Sequence, residues 1–335
     1  MKFRAFLKTV RGRWLFCGVL LVFLTAAVFL SLCAGALKLP PHRIVSILFS
    51  GEPPIQFRIL WDIRLPRILL GVLAGAGLAV SGTLLQGVMH NPLASPGIIG
   101  VSSGGGLAGI LVLLVFPSCG ALLVPAAFAG ALLTALLIYL LAWKQGLSPV
   151  RLILSGVAVS AMLGAFGAAL LLFHAEKAGG ILDFFIGSLA SGNWSQIGRI
   201  WIYMVVGLTA AFLLGGHLNL LALGDEVAAG LGVRVERTRF LMLAAAALLA
   251  ASAVSVAGLL GFVGLIAPHI VRILIGSDNR FVIPASALAG GFLVVTCDTV
   301  GRIVMEPAEL PVGIILAVLG PPFFLWLLRR HSYES

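Results

Sequence analysis

Between Arg67 and Lys144 the chain carries no Lys, Arg, Asp or Glu, so residues 68–143, 76 in a row (143 − 68 + 1), are without formal charge. Soluble domains carry about 25% charged residues, and no water-facing surface is built from such a run. The chain must therefore place it in a bilayer or in protein packed within one. The composition agrees, with 60% hydrophobic residues, 10% charged residues and a mean hydropathy of +1.13 over 335 residues. The expected fold is an all-α polytopic membrane protein.

Charge-free intervals count the crossings without a hydropathy scale. Residues 14–37 provide one span. The 68–143 run provides three, divided by turn chemistry at HNPLASP (90–96) and FPSCG (116–120). Residues 152–175 and 200–224 provide one each, residues 240–271 one or two, and residues 281–297 and 310–328 the last two. Trp14 to Leu37 is too long for a signal peptide, since 24 residues at about 1.5 Å each span roughly 36 Å, whereas a signal core has about 7–15 residues. It is read as a retained first span rather than a cleaved leader.

The termini settle the count. Lys2, Arg4, Lys8, Arg11 and Arg13 lead the chain and Arg329-Arg330 close it, which places both ends in the cytoplasm. The number of crossings is then even, and 240–271 crosses twice, turning near Gly258–Gly261. Ten crossings put 14 of the 22 basic residues on the cytoplasmic side. Arg272 falls in the inner half of the eighth crossing, from where its side chain is expected to snorkel to headgroups. Arg58, Arg64 and Arg67 cluster on the outer side, against the rule. Small residues one turn apart, Gly71/Gly75, Gly77/Ser81 and Gly100/Gly104, predict close helix contacts.

Several chemistries are excluded by what is missing. Cys17, Cys33, Cys119 and Cys297 form no CxxC pair, and the six histidines show no HxxxH or HExxH spacing, so no resident metal is expected. The +10 net charge comes without a basic helix, which argues against nucleic acid. No acidic residue lies at the middle of an expected span, as an ion-coupled secondary transporter would need. No Gly-Lys dipeptide occurs, hence no GxxxxGK[ST] phosphate loop, and any ATPase driving transport sits on a separate chain. An intramembrane serine protease built on Ser102 or Ser103 with His269 is a third class, which spacing alone does not support.

The best-defined polar segment is Leu221–Arg239. Gly224, then Asp225 and Glu226, open a short helix that Gly230 and Gly232 end, and a basic piece follows. It fits a compact knob for a partner's groove, or an interfacial loop on headgroups.

At this point the chain resembles the FecCD-type permeases of bacterial ABC importers for iron-siderophore complexes, haem and cobalamin. The matching pieces are Arg64-Leu-Pro-Arg67, the run from Gly75 to Gly104, LALGDEVAAGLGV (221–233), GLLGFVGLIAPHIVR (258–272) and AELPVGIILAVLGPPFFLWLL (308–328). They follow the family order along nearly the whole chain. The resemblance implies one transmembrane permease domain over residues 1–335, in the type II ABC importer architecture, with ten helices. It implies a homodimer in the bacterial inner membrane, two cytoplasmic ATP-binding cassette subunits carrying ATP and Mg, and a substrate-binding protein docking from outside. No cofactor is implied on this chain, and no catalytic residue.

Residue by residue, Arg64, Arg67 and Arg302 match positions that receive glutamates of the binding protein, with headgroup anchoring as the alternative role. Asn91 and Leu93 match a cytoplasmic gate whose other side falls at Ser148, Pro149 and Val150. There the chain departs from the cobalamin permease, which has hydroxyl residues at the last two positions. Gly224, Asp225, Glu226, Ala229, Gly230 and Gly232 resemble the loop that engages the ATPase, and Gly187–Trp194 is expected to form a short outer helix. Iron-siderophore is the first substrate choice, haem the second and cobalamin the third.

Overall fold

The computed structural model describes residues 7, 9–35, 39–50, 54–144, 146–174, 176, 179–306 and 308–331. Lys2, Arg4, Lys8, Lys38 and Lys177 lie outside the described residues, as do the side chains of Arg329 and Arg330. The elements are α1 (Val10–Cys33), α2 (Pro41–Ser50), α3 (Leu65–Val88), α4 (Val101–Val115), α5 (Leu123–Ala142), α6 (Pro149–Phe173), α7 (Gly179–Ile186), α8 (Trp194–Leu221), α9 (Asp225–Gly230), α10 (Val235–Ala257), α11 (Val263–Ile275), α12 (Asn279–Val304) and α13 (Val312–His331). Pro54–Arg58 and a π-helical turn, Ile59–Arg64, lead without a break into α3. Among the described residues seven helices are long and apolar enough to cross a membrane, and three shorter apolar helices accompany them. The chain is a multi-pass membrane protein.

The helices are not equivalent. In the apolar windows of α3 and α10, 83% and 78% of residues are buried inside the protein, against 22% for α1 and 17% for α6. The glycine pattern explains α3. A Cβ on Gly75 would lie 2.2 Å from the Gly290 carbonyl oxygen of α12, and one on Gly82 would lie 1.9 Å from that of Gly264 in α11. Backbones this close leave no room for any side chain, and dispersion between them substitutes for the hydrophobic effect that lipid removes. Gly104 and Gly130 join α4 to α5 in the same way.

All three expected breaks in the apolar runs are present, the one at FPSCG as a 3-10 turn, Pro117–Leu122. After α3 the chain turns at His90, with φ +50°, and returns through a 3-10 turn, Pro96–Ile99, to α4. Between α10 and α11 it is irregular from Gly258 to Phe262, two residues at positive φ. These last two breaks meet inside the bundle, since Gly264 lies against Pro96 and Leu78.

Two expectations are corrected. The short helix is Gly179–Ile186, and residues 187–193 are irregular. Gly187 stands at φ +90° and its carbonyl accepts the Gly313 N–H at 3.0 Å, so this stretch holds the start of α13 rather than forming a helix. Arg272 does not snorkel. Its guanidinium turns inward to the Gln86 side-chain oxygen and the Thr83 carbonyl of α3. The small residues on α3 bring those acceptors within reach, so an internal amide replaces the headgroups.

Candidate functional site

Three sets of residues were expected to act, and the fold places them at two ends of the bundle. One end gathers the C-terminus of α1, the start of α3 and the last turns of α12. There Arg64, Arg67 and Arg302 come together, 6%, 7% and 4% exposed. Arg67 donates to Asp298 through Nε and Nη2, the latter at 2.9 Å, and to Glu309 at 2.6 Å. Arg302 lies 3.3 Å from the Asp298 carboxylate and donates to the Ala34 and Ser31 carbonyls. Arg64 donates to the Leu32 carbonyl. Among the described residues three guanidinium groups gather about two carboxylates. Asp298 is buried and Glu309 is not, with 41% of its side chain exposed.

Asp298 was missed because the charge-free interval ends at residue 297, whereas α12 continues to Val304. The signal was available in its spacing to Arg302, four residues on, which sets opposite charges on one helix face.

The opposite end carries the other two sets. Asn91 accepts the Leu93 N–H on Oδ1 at 2.9 Å, an Asx turn that fixes the exit from α3. Leu93 is 49% exposed. Ser148 precedes α6 and its carbonyl accepts the Leu152 N–H at 3.0 Å, Pro149 opens the helix, and Val150 is 64% exposed. The two segments are joined through the 3-10 turn, because α6 packs Gly156 directly onto the Ile98 carbonyl. Within one chain Leu93 and Val150 both face outward from the protein.

In the Leu221–Arg239 segment, Gly224 at φ +101° starts α9 and Gly232 at φ +84° follows it. The two acidic residues divide their work. Asp225 accepts from Arg239 at 2.6 Å, which pins α9 to the first turn of α10. Arg239 is buried at 5% and also reaches Glu236 at 3.4 Å. Glu226, Ala229 and Gly230 are exposed, together with Val227 and Leu231, while Ala228 is buried beneath them. A further contact was not legible in the sequence: Nε2 of His90 lies 3.0 Å from the Leu221 carbonyl. It ties the turn carrying Asn91 and Leu93 to the root of the α9 segment.

Among the described residues no group of three or more His, Cys, Asp or Glu is placed to hold a metal. The arrangement offers charge recognition at one end and a mechanically linked turn and knob at the other.

Residues 22–330 match the FecCD transport family, and the chain belongs to that family. The Fe(3+)-citrate import system permease protein YfmE of Bacillus subtilis is 40% identical over 318 residues, 95% of each chain. The cobalamin import system permease protein BtuC of Halobacterium salinarum is 44% identical over 287 residues, covering 85% of this chain and 77% of its own. A solved structure, an inward-facing metal-chelate type ABC transporter, superposes with a TM-score of 0.82 at 31% identity, covering 94% of this chain and 98% of that one.

Proposed function

We propose that this chain is the membrane-spanning permease subunit of an ATP-driven importer for a large metal chelate, an iron-siderophore complex first, with haem and cobalamin as the alternatives. The observation that carries the reading is the end-to-end likeness to relatives named as import-system permeases. The seven long and three shorter apolar helices are read as ten crossings of a bacterial inner membrane, both termini cytoplasmic. Two copies pair around the pathway, two ATP-binding cassette subunits carry ATP and Mg below, and a substrate-binding protein docks above. Nothing on this chain is catalytic, and it forms a single domain over residues 1–335.

In this reading Arg64, Arg67 and Arg302 receive carboxylates of the binding protein, and the clustered guanidinium groups orient its approach. Glu309 holds one guanidinium until docking and must yield to an incoming carboxylate. At the other end Glu226, Ala229 and Gly230 face the ATPase, with Gly224, Gly232 and the Asp225–Arg239 pair holding the knob rigid. Its displacement reaches Asn91 and Leu93 through the His90–Leu221 contact, opposite Ser148, Pro149 and Val150 of the paired copy. Transport is then rigid-body movement of packed helices, with no covalent step. Asp298 does not favour an ion-coupled carrier, since its carboxylate is engaged by two arginines.

The test is ATPase stimulation of the reconstituted transporter by its binding protein loaded with each candidate chelate. Stimulation is expected with one class of ligand. Uptake that proceeds with no ATPase polypeptide present would refute the reading.

A further inference from the structure

The Leu221–Arg239 end also holds a cleft with no assigned role. Helices α5 and α8 touch through the Phe128 and Tyr203 rings, 4.6 Å between centroids, and below that contact they diverge, with α10 as the floor. The cleft between them encloses about 490 Å³ and is lined almost wholly by apolar groups, Leu136, Ala244 and Leu248 among them. Toward the α9 end it is continuous with a second recess through the shared residues Tyr139, Phe240 and Leu241, and that recess is bounded by Trp143 and Arg237.

The dimensions select the occupant. From Leu132 on α5 to Trp143 just past its end, and from Arg237 to Leu248 on α10, the lining covers 11 residues, roughly 16 Å of helical rise. One leaflet of a bilayer core is about half of 30 Å, or roughly 15 Å. A helix about 10 Å wide would need a groove open along its whole length, and this one is shut by Phe128 and Tyr203. An acyl chain entering from the headgroup region needs only the open end.

The mouth has the matching polarity. Trp143 and Tyr139 pair there at 5.6 Å, the rings that sit at headgroup depth in membrane proteins. The acid at the mouth, Glu236, is engaged by Arg239 and by the Leu147 N–H. Arg237 and Lys144 are exposed, and no ion pair holds either of them among the described residues. Arg237 lines the recess, and Lys144 follows Trp143, which lines it too, so two positive charges adjoin an apolar slot one leaflet deep and fit a phosphate headgroup with its chain below.

We propose that the cleft between α5, α8 and α10 is a binding site for an anionic phospholipid, its headgroup on Arg237 and Lys144 and one acyl chain along Ala244. The inference does not depend on the transported substrate. Its test uses the assembled transporter in nanodiscs of mixed phosphatidylglycerol and phosphatidylcholine, re-extracted in mild detergent, with the retained lipid counted by native mass spectrometry. Wild type is expected to retain phosphatidylglycerol in preference to phosphatidylcholine. Arg237→Gln and Lys144→Gln should each lower that retention about fivefold, the effect of one basic group near an anionic headgroup. Ala244→Phe, at an exposed position on the cleft floor, should abolish retention of both lipids. The proposal is overturned if Ala244→Phe retains as much lipid as wild type, or if both lipids are held equally and the charge variants change nothing. If Ala244→Phe instead separates the paired copies while retained phosphatidylglycerol is unchanged, the cleft belongs to a second copy.

Discussion

At the α1 C-terminal end, Asp298 is buried under Arg67 and Arg302, with Arg64 beside them and each of the three arginine residues at most 7% exposed. At the other end Asp278 is the hub. It accepts from Arg13 at 3.0 Å, from Asn219 at 2.7 Å and from Arg280, and it caps α12. Arg280 is 66% exposed, so water screens the Arg280 side of that cluster, while Arg13 and Asp278 are 18% and 15% exposed. The first network holds charge out of water and is stable only while each member is paired. The second is wet, and losing a member costs little more than the bond itself. A surface meant to exchange carboxylates with another protein would combine both properties, and Glu309, half in water on the buried cluster, does so.

The comparison is broken most severely at Asp298. Asp298→Asn leaves Arg302 buried without a carboxylate, and breaking such a pair costs about 3–5 kcal/mol. Thermal unfolding of the detergent-purified transporter should show a larger loss than any single neutralisation in the Asp278 cluster. Asp278→Ala removes a helix cap and exposed pairs together, for about 1–2 kcal/mol. A loss equal to that of Asp298→Asn would erase the distinction between the ends.

The wet cluster also predicts a pH dependence. Partial burial raises the Asp278 carboxyl, but the bonds from Arg280 and Asn219 outweigh it and hold the group below its ordinary value. Its stabilising contribution is therefore complete above the unfolded carboxylate value of about 3.9 and is lost as pH falls through the lower folded value. Acid titration of wild type against Asp278→Ala should show the difference between them shrinking only below that range.

Smallest in stability is Glu309→Gln, within about 1 kcal/mol because the Glu309 carboxylate is itself partly exposed. Its expected effect is on association: docking of the binding protein should tighten and keep its salt dependence, whereas charge reversal at Arg64 and Arg67 should weaken docking at low salt. Unchanged affinity in all three variants would leave those arginines a purely structural role. At the opposite end Glu226→Lys should uncouple ATP hydrolysis from uptake with little change in melting, while Asp225→Lys should also destabilise the segment by placing a cation against buried Arg239.

Much of this was legible in the chain. The uncharged run, the turns at His90 and Gly258, and α9 between Gly224 and Gly232 follow from local chemistry. Charge is costly in lipid, and a positive φ is open to glycine and, less readily, to residues such as His, Asn and Asp. Arg64 and Arg67 were visible as exceptions to the charge rule, and Arg302 through the family resemblance. Their burial was not, because sequence places a residue at a depth in the membrane but does not say which neighbour it faces. Arg272 shows the same limit, being near enough to headgroups to snorkel yet bonded to Gln86.

The sequence by itself determined that the chain crosses a membrane many times, where the helices break, and which segments carry charge, because each depends on transfer free energy or backbone sterics within a few residues. Only the tertiary structure decided that Asp298 and Glu309 neutralise most of the arginine cluster, that His90 reaches Leu221, and that α5 and α8 part to leave a cleft one leaflet deep. Those contacts join residues far apart in the chain. They depend on which helix faces come together, and at Gly75, Gly82 and Gly264 that is set by missing side chains, whose effect appears only when a second backbone is against them.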